Sequence, residues 1–386
     1  MMTFITVIII EILAGAEIDI FVPSFPELQR VFGLSPFMVE LTLFVNLIAH
    51  CLTSLLVGNL GDRYGHKPLI ILGLIIFICG SILCSFTNIY WVLLFGRFLQ
   101  GVGISGPTVL AYTVLSDIYS TNKQQQMMGT LNGAVTIAMA SAPVFGSYIA
   151  AYFGWKGNFV ALLLLGILSL IMSILFIPKG KENPAVFLSL KEYMPVLKSP
   201  KTLLYMVTIG MFTQGYWIFI SISPILYIGA LGVSLEHFGF YQGALAAIFA
   251  IASLSSGYFM GKFGQRNCFV FSIYLFVIFL IATFILITLD IRNPIIITLV
   301  CMVISLANVF PINILWPLSL ETVKNAKGRI TAIHVSSRLI ITAISVQIVS
   351  YFYNGSFIQL GLAMCITLLI GMWSCYKLFQ QDKIFT

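Results

Sequence analysis

The chain has 386 residues, 59% of them hydrophobic and only 9% charged, and its mean hydropathy is +1.03. A soluble domain of this length carries far more charge, so this composition excludes a soluble protein and indicates an integral membrane protein. The formal net charge is +7. The positions of the basic residues decide whether that charge points to a nucleic-acid partner or to membrane topology.

Twelve apolar runs are long enough to cross a bilayer, since a spanning helix needs about 20 apolar residues. The first run has no basic start and contains Glu11, Glu17 and Asp19. A cleaved signal peptide has neither property, so this run is predicted to be the first span. The twelve runs lie near residues 2–22, 36–58, 67–86, 89–114, 127–153, 156–177, 203–229, 236–259, 267–289, 294–321, 328–353 and 355–379.

One short polar segment occurs twice. Residues 58–67 read GNLGDRYGHK, and residues 257–266, which lie 199 positions later, read GYFMGKFGQR. The glycines at the first and eighth positions and the basic residues at the sixth and tenth agree. Asp62 is the exception, because Gly261 takes its place. The chain is therefore interpreted as a duplication in which only the first copy keeps the acidic residue.

The predicted fold is all-helical, with the twelve spans in two pseudo-symmetric six-helix halves. The longest polar connection, residues 178–201, contains four prolines and is interpreted as a cytoplasmic linker. The predicted domains are therefore 1–177 and 202–386. Two similar halves joined in this way are typical of secondary transporters, whose substrate site lies between the halves near the middle of the bilayer.

The basic residues are distributed unequally across the membrane. With the N-terminus inside, fifteen Lys and Arg residues fall on the inner side and three on the outer side, while Arg97 and Arg338 lie inside spans. Since cytoplasmic loops are enriched in basic residues, both termini are predicted to be cytoplasmic in a bacterial inner membrane. Topology thus accounts for the positive charge, and we expect a lipid bilayer rather than a nucleic acid around the chain.

The sequence offers no sign of a metal site or a nucleotide site. The seven cysteines lie in or beside apolar runs and form no CxxC pair, which favours small apolar packing residues over metal ligands or disulfides. There is no P-loop and no dinucleotide fingerprint. We expect no metal, no cofactor and no ATP-driven step.

Four motifs in the first half resemble those of the major facilitator superfamily, and the resemblance as a whole covers essentially the entire chain. Residues 58–67 resemble its signature between the second and third spans, with His66 where a basic residue is usual, and residues 97–103 resemble its fourth-span signature. Residues 19–26, with the pattern D-x-x-x-P-x-x-P, resemble the first span of the Bcr/CflA branch of drug/proton antiporters. Residues 154–159 resemble the G-W-R-x-x-F entry to the sixth span, with Lys in place of Arg.

One motif of that superfamily is degraded here. The fifth span of its antiporters is glycine-rich around a Gly-Pro pair, whereas residues 138–147 of this chain carry Ala142-Pro143 followed by Gly146. Small residues still allow close helix packing. The motif is nevertheless a weaker indicator of antiport than in its full form.

The acids of the first span are the candidates for proton coupling. Asp19 lies eight residues after Glu11, which is about 80° around a helix and about 12 Å along it, so the two can share a face. A carboxyl group in a low-dielectric environment can hold a proton near neutral pH and release it on hydration. The pair also resembles the acids of a multidrug/proton antiporter of this superfamily. The resemblance assigns Arg97 a role in proton coupling or in holding the contact between the first and fourth spans. Arg97 needs an anionic partner, for which Asp19 or Glu11 is expected, and the alternative is a static buried ion pair. Glu17 points roughly away from Asp19.

The repeated loop is the candidate gating motif, since the resemblance implies that its acid meets the positive end of the eleventh span and steadies the outward-facing state. In this chain that span opens at residues 328–329. The alternative is an ordinary charged turn. The motif residues are Gly58, Asp62, Arg63, Gly65 and Lys67.

The remaining intramembrane polar residues are candidates for lining a substrate cavity. Arg338 lies near the middle of the eleventh span, one turn after His334. A cation there would favour an anionic group on the cargo, or could instead neutralise an acid of the first span in the empty carrier. The alternative for each residue is a hydrogen bond between helices or a backbone contact. The other candidates are Asn46, His50, Gln214, Tyr216, Asn308 and Asn313.

The leading functional prediction is a monomeric, proton-coupled exporter of drugs or small amphipathic compounds that works by alternating access. The alternative is a dedicated transporter of an anionic metabolite, such as a carboxylate siderophore, in either direction. A membrane enzyme or sensor would need clustered catalytic residues on interface loops or a soluble output domain. The sequence shows neither, so we predict no enzymatic activity.

Overall fold

The structure is a computed structural model that describes residues 1–118, 121–180, 193–323 and 327–381. Within those ranges the side chains of residues 58, 59, 62, 112, 116–118, 121–130, 132, 133, 327–329 and 331 are not described. In the described ranges all regular secondary structure is helical. The helices are α1 (Met2–Asp19), α2 (Phe25–Phe32), α3 (Pro36–Tyr64), α4 (His66–Phe86), α5 (Tyr90–Ile118), α6 (Thr121–Phe176), α7 (Met194–Leu197), α8 (Pro200–Pro224), α9 (Leu235–Phe263), α10 (Gln265–Thr288), α11 (Pro294–Ala307), α12 (Val309–Leu320), α13 (Lys327–Phe352) and α14 (Phe357–Gln381).

The described helices account for the twelve predicted spans. Ten helical segments are long and apolar enough to cross a membrane, with α11 and α12 counted as one span. The first span, α1, is apolar but carries three acids, and α6 contains two spans in one helical stretch of 56 residues. The predicted all-helical membrane fold is therefore confirmed.

The two spans of α6 are separated at Gly154, whose φ of 69° is in the left-handed region that favours glycine. The backbone N–H of Trp155, at the start of the second of these spans, donates a hydrogen bond to the Glu27 carboxylate of α2. Trp155 is buried and its ring lies 5.6 Å from that of Phe32. The short helix α2 is thereby anchored to the break in α6.

The duplication inferred from the loop sequence extends to the backbone. Helices α3 and α9 each have 29 residues and begin 199 positions apart. Gly65, which joins α3 to α4, has φ 82° and ψ 155°, and Gly264, which joins α9 to α10, has φ 80° and ψ 150°. A residue with a Cβ rarely adopts this conformation. The same turn is therefore built in both halves by a glycine at the same repeat position.

The chain divides into two compact units, residues 1–189 and 190–386. This division falls inside the connection predicted at 178–201, whose outer boundaries stay predictions. The end of that connection forms α7, and Val196 of α7 packs with Met206, Ile330 and Ile333 in the second unit.

The first unit depends on small residues at its helix crossings, because a Cβ at Gly73 or Gly80 would lie 2.6 Å from a backbone oxygen of α5.

Candidate functional site

Three carboxyl groups of α1 are buried in the first unit. Glu11, Glu17 and Asp19 are 3%, 1% and 2% exposed. Oε1 of Glu11 and Oδ1 of Asp19 have no hydrogen-bond partner among the described residues. Burying an ionised carboxylate without a partner is costly, so the charge state of Glu11 and Asp19 is the first electrostatic question that the unit raises.

Glu17 is the acid that contacts the buried arginine. Its Oε1 lies 3.5 Å from Nη1 of Arg97, and Arg97 is fully buried. Nδ2 of Asn46 donates to the same Glu17 oxygen at 2.6 Å and to the backbone oxygen of Arg97 at 3.0 Å. Asn46 therefore joins α1 to α5 through one amide group, and the charge of Glu17 is balanced within the unit.

The other contacts of Arg97 extend this network to α4. Its Nη1 donates to Oε1 of Gln100 at 2.7 Å, and Nε2 of Gln100 donates to Oγ of Ser81 at 2.9 Å. The guanidinium carbon lies 5.1 Å from the ring centre of Phe21 and 5.9 Å from that of Phe159. Aromatic faces attract a desolvated guanidinium. The network of Glu17, Asn46, Arg97, Gln100 and Ser81 thus connects α1, α3, α4 and α5.

The expected partner of Arg97 was wrong. The sequence favoured Asp19 or Glu11, whereas the structure pairs Arg97 with Glu17. Glu17 and Asp19 are two residues apart, about 200° around a helix, so only one of them can face α5. The helical spacing separated the two faces correctly but contained no information on which face turns toward α5. Asn46, predicted to line a cavity, lies in this network and is fully buried.

Glu40 of α3 is a functional candidate that sequence reasoning missed. It is 0% exposed, and neither of its carboxylate oxygens has a hydrogen-bond partner among the described residues. Its position inside the apolar run 36–58 was the available signal, since acids in spanning segments are rare and functional by default. It adds a fourth buried carboxyl group to the first unit.

A different polar cluster occupies the second unit. The guanidinium carbon of Arg338 lies 5.8 Å from the ring centre of Trp217 in α8. One turn earlier on α13, His334 lies against Trp316 of α12, with ring centres 4.7 Å apart. The predicted pair of Arg338 and His334 is thus brought together with two indole rings.

Three other predicted cavity residues make contacts between or along helices of the second unit. Nε2 of Gln214 donates to Oγ1 of Thr342 at 3.2 Å, and Nδ2 of Asn313 donates to Oγ of Ser256 at 2.8 Å. The ring of Tyr216 packs edge-on against that of Trp217. The hydrogen bonds of Gln214 and Asn313 are of the kind that join helices in a membrane.

The last two predicted cavity residues differ in burial. Asn308, which lies between α11 and α12, is 2% exposed, and its Oδ1 has no hydrogen-bond partner among the described residues. His50 of α3 is half-buried in the first unit. Nothing in these positions assigns either residue to a cargo, so their cavity role stays a prediction.

The gating motif is only partly described. Lys67 donates from Nζ to the backbone oxygen of Ile174 at 2.7 Å, and the guanidinium of Arg63 lies over the ring of Tyr64 at 5.3 Å. The corresponding Lys262 lies over the Phe263 ring at 5.4 Å, so the repeat conserves this cation–aromatic contact. The structure does not describe the surroundings of Gly58 or the side chain of Asp62. It likewise does not describe the side-chain environment of residues 328–329, where Asp62 was expected to bind.

The chemistry available in these sites is that of proton binding and ion pairing. Within the described ranges, no three His, Cys, Asp or Glu side chains come together as a metal-binding group. The groups that these sites contain are buried carboxyls and a buried guanidinium in the first unit, and a half-buried guanidinium with a buried imidazole in the second. Such groups can bind and release protons or charged solutes.

Comparison with known sequences identifies the family to which the chain belongs. The family model described as Major Facilitator Superfamily matches residues 7–346. A bicyclomycin resistance protein homolog of Haemophilus influenzae is 27% identical over 264 residues, which are 67% of this chain and 66% of that protein. The multidrug resistance protein MdtL of Salmonella paratyphi A is 26% identical over 259 residues, 66% of each chain. The chain thus spans just under two thirds of the length of these relatives, and the motif-based resemblance is confirmed.

Comparison with solved structures confirms the fold. The crystal structure of a D-xylose-proton symporter aligns with a TM-score of 0.75 over 96% of both chains at 13% identity. That of a bacterial homolog of the human lysosomal transporter Spinster aligns with a TM-score of 0.73 over 99% of this chain and 97% of that chain at 14% identity. At such identities the likeness concerns the architecture alone.

Proposed function

Because the chain belongs to the Major Facilitator Superfamily, we propose that this multi-pass membrane transporter is a proton-coupled exporter of small amphipathic compounds. Two relatives named for bicyclomycin and multidrug resistance support the export of drug-like cargo. The unequal distribution of basic residues supports a bacterial inner membrane with both termini cytoplasmic. The exporter is proposed to act as a monomer by alternating access.

The observation that supports proton coupling is that only one of the three buried acids of α1 has a guanidinium beside it among the described residues. Of its three buried acids, Glu17 has the Arg97 guanidinium beside it, whereas oxygens of Glu11 and Asp19 have no hydrogen-bond partner among the described residues. An unpaired carboxylate in a membrane span is costly, and binding a proton removes that cost. Glu11 and Asp19 are therefore the proposed proton carriers.

Arg97 has a positioning role in this proposal. Its guanidinium and backbone oxygen, with Glu17 and Asn46, hold α1 against α5. A change in the protonation of Glu11 or Asp19 then acts on α1, which this network already joins to α3, α4 and α5. Proton binding to Glu11 or Asp19 is proposed to weaken the hold on a bound cargo, and release of the proton to restore it.

The test is a transport assay on the full chain in proteoliposomes with an imposed pH gradient. A panel of cationic, neutral and anionic drug-like compounds is added, and proton movement is followed with a pH-sensitive dye. We expect at least one compound to cause proton movement that protein-free liposomes do not show. Uptake of a compound that is indifferent to the pH gradient would contradict proton coupling while leaving transport intact.

The second candidate function, a transporter of an anionic metabolite, shares the fold and the proposed proton carriers. It differs in the cargo and in allowing either direction of transport. The observation that favours it is the guanidinium of Arg338 inside α13, in a region where a site for cationic drugs would be expected to carry acids.

A further inference from the structure

The arginine of α13 lies on one polar face of its helix. His334, Arg338 and Thr342 follow one another at intervals of four residues, so they share a face. All three positions lie within the apolar segment Ala332–Phe352, which is long enough to span the membrane. A polar face of this length inside a span requires partners other than lipid.

Two neighbouring helices supply aromatic and amide groups to this face. On α8, Trp217 lies under the Arg338 guanidinium at 5.8 Å, and Gln214 donates to Thr342 at 3.2 Å. On α12, Trp316 packs against the His334 ring at 4.7 Å. The guanidinium therefore has an indole beside it and a second indole one helical turn away.

No carboxylate of the second unit forms an ion pair with Arg338 among the described residues. Asp290 is bound by Arg292 at 2.7 Å, Glu236 lies in the first turn of α9, and Glu321 lies at the end of α12. Arg338 as a whole residue is half-buried within the second unit. Oε1 of Gln214 and Nε2 of His334 are also buried and have no hydrogen-bond partner within the part of the chain that the structure describes.

The chemistry of this cluster selects a class of ligand. A guanidinium presents parallel N–H donors that match the two oxygens of a carboxylate, and the bond is stronger where water is scarce. Indole rings favour an apolar or aromatic body next to that group. A cationic group would instead be repelled by Arg338. The arrangement therefore fits an organic anion with an apolar body better than an organic cation.

We propose that Arg338, with Trp217 and Trp316 as apolar walls, binds the carboxylate of an amphipathic organic anion that the transporter carries. This inference rests on the proposed transport function and adds the charge of the cargo to it. It concerns the second unit alone, whereas the proposed proton carriers lie in the first. The two proposals can therefore fail separately.

The experiment uses three compounds of equal size that differ in charge: 4-phenylbutyrate, 4-phenylbutanamide and 4-phenylbutylamine. Their binding to the full chain in lipid nanodiscs is measured by equilibrium dialysis, with empty nanodiscs correcting for partition into lipid. We expect the carboxylate to bind more tightly than the amide and the amine. Arg338→Gln should weaken carboxylate binding by about tenfold or more, since it removes a charge-assisted hydrogen bond, and leave the amide within about twofold.

Arg292→Gln is the matched control, because it removes an exposed arginine from the segment between α10 and α11 of the same unit. It should not change any of the three affinities. Arg338→Lys retains the charge without the planar donor pair, and we expect it to recover part of the carboxylate affinity.

Two results would overturn the Arg338 site. One is tighter binding of the amine than of the carboxylate by the unaltered protein, a comparison that needs no variant to fold. The other is an unchanged carboxylate affinity in a well-folded Arg338→Gln protein. If the carboxylate binds through Arg338 but no compound moves protons in proteoliposomes, the proposed coupling fails and the anion site stands. If drugs move protons while the carboxylate does not bind, the reverse holds.

Discussion

The Glu17 carboxylate lies 3.5 Å from the Arg97 guanidinium, and neither side chain has more than 1% of its surface exposed. Two opposite charges buried together offset much of each other's desolvation cost, while one alone does not. Asn46 fixes the geometry by donating to Glu17 at 2.6 Å. This pair is the main fixed electrostatic contact of α1, and it makes the stability of the first unit depend on both partners.

Removing one charge of this pair should be more damaging than removing both. We expect Glu17→Gln or Arg97→Gln to cost about 3–5 kcal/mol, because each leaves an uncompensated buried charge. The double variant should be more stable than either single one. The midpoint of thermal unfolding in detergent checks the order, with the exposed Glu236→Gln as control. Additive losses in the double variant would show that the two side chains do not act as a pair.

The two acids without an arginine should matter for coupling rather than for stability. Glu11→Gln and Asp19→Asn keep the size of each side chain and remove its ability to exchange a proton. We expect each variant to lose most of its pH-gradient-driven transport in proteoliposomes while unfolding at a midpoint close to that of the parent protein. Full coupling in both single variants would eliminate Glu11 and Asp19 as the carriers.

Glu40 offers a contrast to Glu17 within the same unit. The structure provides no partner for the charge of Glu40 among the described residues, so a neutral side chain of the same shape should fit its place equally well. We expect Glu40→Gln to change the free energy of unfolding by less than about 0.5 kcal/mol, against the large loss for Glu17→Gln. A comparable loss at both positions would mean that Glu40 is held by a charge partner.

The close approach of α1 and α6 depends on Gly146. A Cβ at this position would overlap the backbone oxygen of Ile20, whereas a Cβ at Gly257 in α9 would have no atom within 4 Å. Gly146→Ala should therefore destabilise the protein by about 1–3 kcal/mol through overpacking. Gly257→Ala should stabilise it by about 0.5–1 kcal/mol, as alanine generally does in a helix interior.

These two substitutions form a matched pair, since both place a methyl group inside a helix. Their unfolding midpoints in detergent should move in opposite directions from that of the parent protein. A rise in both midpoints would show that helix propensity, rather than the contact between α1 and α6, determines the effect at Gly146.

The spans and the duplication could be predicted because their signals are local. Bilayer thickness sets the length of an apolar run, and both turn glycines, Gly65 and Gly264, are needed by the backbone at the same repeat position. The four buried carboxyl groups are also visible in the sequence as acids within apolar runs, although Glu40 was not among the predicted site residues. Each of these features depends on residues close together in the sequence.

The sequence by itself determined that this is a duplicated twelve-span transporter with acids in its first half and a cationic cluster in its second. Only the tertiary structure decided that Glu17, rather than Asp19 or Glu11, pairs with Arg97, and that Arg338 lies over Trp217. The physical reason is that helical spacing places side chains on faces, but the rotation of each helix is set by its packing. On α1 that packing includes the contact of Gly146 with the Ile20 backbone, which no local pattern reveals.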